Sequence, residues 1–399
     1  MTGVIHLEEP ARRGPAPPAG FALFALGFRP FYLLAAVFAA LSVPLWALQF
    51  SGWLGHAYLA GPVWHAHEML FGFALAVIVG FLFTAGRNWT NQPTPTGWPL
   101  AALAGLWLVA RVLLLTPFGL AAALANVAFP LAAAVALARP LIRAGSRRNY
   151  FFVGLLVLMG AAAAVVHAAE LGWLTWPAGV AIGVGLDVVL FIVAVMAGRV
   201  VPMFTNNGVP GAAAARHPHV ERLALGSVLA LLGADAFGLT GGPVAVLALV
   251  GMAAHAARWW LWQPWRTRRV PLVWVLHLAY AWVPVHLALR VTASLGWTLP
   301  ALATHALTVG AIGGLVIGMM TRTARGHTGR PLKADRWEVA CYGLVALAAV
   351  ARVGLPLVAP AQTVHAALAS ALLWSAGFGV YAVRYWPVLS RPRVDGRPG

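Results

Sequence analysis

The chain has very little charge for its length. Of 399 residues only 9% are Asp, Glu, Lys or Arg, against roughly 25% in a soluble domain. That excludes an ordinary water-soluble globule. Acids are scarcest, with ten Asp and Glu against 27 Lys and Arg. Cys341 is the only cysteine, so neither an internal disulfide nor a cysteine-built metal site can form. A charged-then-apolar leader is missing from the N-terminus, where Glu8, Glu9 and a Pro-rich polar stretch stand instead. No cleavable signal peptide is expected there.

What the chain has is hydrophobic length. Hydrophobic residues make up 61%, and Gly (42) and Pro (28) are abundant, as suits closely packed membrane helices. The formal charge of +17 resembles a nucleic-acid signal, but its placement argues otherwise. The basic residues sit in short loops between apolar runs, where orientation signals lie. Membrane lipid is the expected partner, and nucleic acid is not.

The apolar runs predict an all-α, polytopic membrane bundle of about twelve transmembrane helices. The spans fall near 28–50, 63–86, 98–116, 119–138, 150–170, 178–199, 222–240, 243–262, 271–293, 299–321, 337–356 and 362–384. Thr116-Pro117-Phe118-Gly119 is the only turn signal between the third and fourth. Residues 1–20 read as a disordered cytoplasmic tail, 21–386 as one transmembrane domain and 387–399 as a second cytoplasmic tail. Arg139 to Arg148, Arg216, Arg222, Arg266 to Arg269, Arg322 to Arg336 and Arg391 to Arg397 all lie on one side, and the alternate loops carry no Lys or Arg. That asymmetry puts both termini in the cytoplasm. Arg111, Arg290 and Arg352 fall inside apolar runs and need partners or a snorkelling route.

A repeat is visible in the inward-running spans two, six and ten. They end in Gly86-Arg87-Asn88, Gly198-Arg199-Val200 and Arg322-Thr323, the last leading to His327 and Arg330. The arginines lie about 112 and 123 residues apart, roughly four spans each time. Three units of four helices make a pseudo-threefold bundle. The blander explanation is that helix ends favour Gly, Arg and Asn.

The chemistry-bearing residues concentrate among thirteen histidines. His65, His67, His167 and His305 lie toward the outer ends of their spans, and neutral imidazole is the commonest metal and haem ligand. Single histidines also hydrogen-bond across helices, the plainer role for any one of them. At about 100° per residue, His65 and His67 point to opposite sides of a helix. His65 shares a stripe with Met69, Gly72, Ala76 and Gly80, with Glu68 beside it at i+3 and able to orient its imidazole. The two histidines therefore serve different partners. His277 and Tyr280, also at i, i+3, suit a second metal, a proton relay or ordinary packing. Asp187 is a buried acid that needs a partner or a proton, with Arg111, Arg290 and Arg352 as candidates. The GHTGRP stretch at His327 and Arg330 reads as a structured cytoplasmic turn.

Several long segments then resemble the NnrS family: LGFRPFYLLAA (26–36), WHAHEMLFGFALAVIVGFL (64–82), GRVVPMFTNN (198–207), LHLAYAW (276–282), HALTVGAIGG (305–314) and TRTARGHTGRPL (321–332). The resemblance runs from about residue 21 to beyond 380. It implies a bacterial inner-membrane protein containing haem and copper, linked to nitric oxide and to protection against nitrosative stress. Histidines expected from the family match at His65, His67, His167, His277, His305 and His327. The resemblance leaves open which hold haem and which copper, and it demotes His286. The bundle also resembles the main subunit of haem–copper oxidases, where a low-spin haem lies between helices two and ten. By that analogy His65 or His67 and His305 are axial ligands. The oxidase copper-and-oxygen centre is not reproduced, because span seven has no histidine pair, and fold analogy alone does not carry function.

Three functional readings follow. The first is a haem- and copper-binding protein that handles nitric oxide or its metal adducts. The second is a quinol-linked oxidoreductase acting on nitrogen oxides, with Glu68, Asp187 and Tyr280 available for protons. The third is a secondary transporter, although such proteins usually show twofold repeats with midplane sites. No catalytic residue can be named.

Overall fold

The structure is a computed structural model that describes residues 20–397; the expected tail at 1–20 and the last two residues lie almost wholly outside that range. Among the described residues there are helices and no strands. Twelve helices cross the bundle: α1 (Phe28–Phe50), α2 (Gly61–Thr90), α3 (Gly97–Leu113), α4 (Gly119–Arg143), α5 (Phe151–Glu170), α6 (Ala178–Gly208), α7 (Pro218–Ala236), α8 (Gly242–Leu261), α9 (Pro271–Ser294), α10 (Pro300–His327), α11 (Arg336–Val358) and α12 (Thr363–Ser390). Ten of these are long and apolar enough to cross a membrane. The others are α3, which is apolar but short, and α7, which carries Glu221, Arg222 and Asp235. Two of these α7 acids pair internally, Glu221 with Arg258 of α8 and Asp235 with Arg290 of α9. Pairing of that kind is what makes charge tolerable in an apolar bundle.

Helices α2, α6 and α10 are the most buried of the ten spans. Helix α6 touches both α2 and α10, and the other nine pack around these three. Helix α4 packs on α5, α8 on α9, and α12 returns to α1. That last seam is held by Arg29, fully buried at the start of α1, whose Nη1 donates to the carbonyls of Leu389 and Arg391 at 2.9 and 2.7 Å. Close approach is set by glycine where helices α9 and α10 meet. A Cβ at Gly314 would lie 2.6 Å from the Cβ of Ala279.

Several boundaries differ from the sequence expectation. The spans expected to stop at 86, 199 and 321 run on to Thr90, Gly208 and His327. Arg87, Arg199, Arg322 and His327 are therefore helical, and only Arg330 of that group lies in a loop. Aromatic faces explain how the charges ride on helices. Arg199 lies against Trp89, Phe151 and Phe152, and Arg322 sits 3.8 Å above the Phe204 ring. Helix α12 runs to Ser390, past the boundary expected at 386.

Three helices contain π segments: Glu68–Ala74 in α2, Ala306–Gly313 in α10 and Val350–Gly354 in α11. Two begin just after His67 and His305, and the third contains Arg352. Such wide i→i+5 turns are frequent at functional sites.

Candidate functional site

The π segment of α2 decides what its histidines face. His65 and His67 precede it in ordinary α-helix, so the expected opposition of their side chains holds. Beyond that point the 3.6-residue stripe fails. Met69 stays with His65, but Gly72 turns toward Phe38 and Arg111, because the wide turn shifts the register. Glu68 does not orient His65 either. Its Oε1 lies 3.1 Å from Nδ1 of His67.

His65 and His305 line one cavity of about 340 Å³. The space is bounded by α1, α2, α6, α10, α11 and α12, and aromatic walls include Trp46, Phe73 and Trp374. Trp46 stacks on His65 with ring centroids 4.2 Å apart, which fixes the imidazole plane. His305 Nδ1 lies 2.6 Å from the carbonyl of Ala301. A carbonyl only accepts, so Nδ1 carries the hydrogen and Nε2 keeps its lone pair. Arg352 also lines the cavity, and no carboxylate among the described residues pairs with it.

His67 belongs to a different cluster. Its ring meets that of His167 on α5 edge to face, centroids 5.0 Å apart. Both are fully buried, and the Nε2 of each is unpartnered. Their other nitrogens are held: His67 Nδ1 by Glu68, and His167 Nδ1 by the Tyr58 hydroxyl at 3.1 Å. Arg111 of α3 donates to Glu68 with one Nη and to Asn126 of α4 with the other. Arg111, one of the candidate partners for Asp187, is thus paired instead with Glu68, the carboxylate that holds His67. Tyr58 lies in the loop before α2; burial, then the charge of Glu170, pushes its phenol up to about 12, so it stays protonated at neutral pH.

His277 and Tyr280 are not brought together. His277 Nε2 pairs with the Thr205 hydroxyl at 2.8 Å, leaving Nδ1 without a partner. Tyr280 bonds His255 Nδ1 at 2.6 Å and accepts from Arg258 at 3.0 Å. Arg258 is itself clamped on Glu221 by two hydrogen bonds of 2.7 and 2.8 Å. Asp187 finds Arg290, at 3.6 Å, while that guanidinium binds Asp235 through both its Nη atoms. These residues and His286 line a polar cavity of about 360 Å³. It shares Leu186 and Thr304 with the histidine cavity. His286 Nε2 and Asp187 Oδ2 are buried there without partners. His327 packs its ring on Phe28, far along α10 from His305.

Among the described residues no three His, Cys, Asp or Glu converge to hold a metal ion. The donors come in pairs. The match to known proteins decides what kind of chain carries them: the family model described as NnrS protein matches residues 22–393. The chain belongs to the NnrS family. No curated protein matches it. As a member of that family it is a membrane protein whose histidines are sorted onto two sides of α2, one side a cavity and the other a buried pair.

Of the groups missed by sequence, Asn126 left a signal, a lone amide in an alanine-rich run. Tyr58, Trp46 and His255 left none, because their roles depend on helices far apart in the chain.

Proposed function

We propose that this NnrS-family protein binds haem and copper in the bacterial inner membrane, with both termini cytoplasmic, and handles nitric oxide or its metal adducts in the response to nitrosative stress. The observation that carries the haem assignment is the cavity shared by His65 and His305. It offers two imidazoles from opposing helices, aromatic walls for a flat macrocycle and one unpaired arginine. Its size, about 340 Å³, falls in the range of cofactor pockets, roughly 300–1,000 Å³. His65 and His305 would hold the haem iron, and Arg352 would offer a cation to the group's carboxylates. When bound, haem would supply an iron centre able to take nitric oxide as a ligand.

The His67–His167 pair suits copper. Both Nε2 atoms are buried without partners on rings 5.0 Å apart, and each ring is oriented through Nδ1 by an oxygen, the arrangement that fixes a metal-binding tautomer. Imidazole suits copper, and monovalent copper accepts two ligands. His277, with Nδ1 free, remains a separate single donor.

The bundle is proposed to be three four-helix units resembling the haem–copper oxidase main subunit. What supports this is the recurrent packing of α4 on α5, α8 on α9 and α12 on α1 around α2, α6 and α10. The Asp187 cavity beside the haem site favours, as a second reading, a quinol-linked reductase of nitrogen oxides, which needs proton access.

The test is an absorption spectrum of detergent-purified protein, oxidised, reduced and nitric-oxide-treated, with iron and copper measured on the same sample. A Soret band that moves with nitric oxide, with copper present, supports the proposal; colourless, metal-free protein expressed with haem available overturns it.

A further inference from the structure

The three inner helices do not close on one another. Between them lies a third cavity of about 100 Å³. Helices α2, α6 and α10 supply most of its wall, with Ile78 and Phe81, Met196 and Val200, and Val316 and Met319 among the lining residues. Leu276 of α9 and Tyr32 of α1 complete the lining, and both are fully buried. Tyr32 brings the only polar side chain of the lining. Ile312 lines both this space and the histidine cavity, so its side chain stands where the two adjoin.

Such a void is not neutral. Empty space in a core forfeits contacts and costs stability, and two unbranched methionines, the usual gap-fillers, stand in its wall without filling it. Water gains little there, because it needs two to four polar partners and the wall presents no polar atom to the space. An ion is excluded by the apolar wall. A lipid or quinone tail is too long for this volume. What fits is a small uncharged apolar molecule, the kind that apolar cavities of comparable size bind.

We infer that this cavity is a holding site for a small apolar gas molecule, and that it is the antechamber from which such a gas passes Ile312 into the histidine cavity. A gas of that class is concentrated by the bilayer and reaches the inner helices without crossing the Arg-rich end of the bundle. The antechamber role rests on the haem reading above; the gas site does not.

The probe is xenon, applied under pressure to crystals of the full chain. One xenon atom should appear between α2, α6 and α10, and it should be lost in Val316→Phe and in Ala197→Leu, two independent cavity-filling changes in the lining. In haem-loaded protein, rebinding of carbon monoxide after flash photolysis should slow about tenfold in either variant, a barrier change of about 1.4 kcal/mol, with the Soret band unmoved. Ile312→Ala should speed it. No xenon in the wild-type cavity, or an acyl chain in its place, overturns the gas site. Xenon present with unchanged rebinding in both filled variants overturns the antechamber. A chain without haem sinks the function proposal and leaves the xenon result standing by itself.

Discussion

His67 and His167 lie a hundred residues apart, yet their rings meet at 5.0 Å with both Nε2 atoms free. Two residues before His67, His65 faces the opposite way into the cavity it shares with His305. Helix α2 thus acts as a partition between two imidazole pairs.

The hydroxyl of Tyr58 holds His167 at Nδ1. Tyr58→Phe removes that partner and little volume. Losing an oxygen that orients a ligating imidazole typically lowers metal affinity about 10–100-fold. Copper titration of the variant should show a loss of that order with haem content unchanged. An unchanged copper affinity would separate Tyr58 from the metal.

Arg111 neutralises Glu68 in a fully buried setting. Arg111→Met strands the carboxylate, and breaking one side of a buried pair costs about 3–5 kcal/mol. The double variant Arg111→Met with Glu68→Gln should recover much of that loss. Thermal melting in detergent checks this; equal loss in single and double variants would mean that the pair contributes no coupling.

Part of this arrangement was legible in the sequence, for identifiable reasons. His65 and His67 could be set on opposite faces because residues 61–67 are ordinary α-helix. The stripe beyond them could not be extended, because a π segment starts at Glu68 and leaves no mark in the hydropathy pattern. Twelve helices could be counted even through the charged α7, since its turns fall at regular spacing. Which histidine faces which was hidden, because His67–His167 and His65–His305 are contacts between helices distant in the chain. The sequence places the ends of α2, α6 and α10 short because arginine reads as loop, whereas in α6 and α10 Trp89, Phe152 and Phe204 carry Arg199 and Arg322 on helix.

Gly198 of α6 tests the second buried network. A Cβ there would collide with the Arg258 guanidinium and displace it from Glu221 and Tyr280. Gly198→Ala should destabilise by about 1–3 kcal/mol, as overpacking does. Gly226→Ala on α7 meets nothing within 4 Å and should be neutral or stabilising by up to about 1 kcal/mol. Equal melting temperatures for the two variants would show that the Arg258 cluster tolerates displacement.

Asp335 starts α11 with a capping box, accepting from the backbone of Trp337 and Glu338 while Glu338 accepts from its own. Burial alone would raise its carboxyl, but those two N–H groups, Arg384 and Arg325 hold it below the usual carboxylate range. A depressed folded pKa gives stability that is complete above the unfolded value, about 3.9, and is lost as pH falls through the folded one. Asp335→Asn keeps the cap without the titration. Wild type should therefore melt higher than Asp335→Asn at pH 6, with the gap closing below about pH 4. Asp335→Ala, which lacks the cap as well, should lie about 1 kcal/mol below Asp335→Asn at every pH. A gap independent of pH would contradict the assignment.

The most direct test of the two-pair arrangement is iron and copper analysis, with absorption spectra, on four purified variants: His65→Ala, His305→Ala, His67→Ala and His167→Ala. The first two should lose or alter haem and keep copper, and the last two should lose copper and keep an unchanged haem spectrum. Equal loss of both metals from His65→Ala and His67→Ala would mean that the residues act as one site or simply hold the fold, and would contradict the partition at α2.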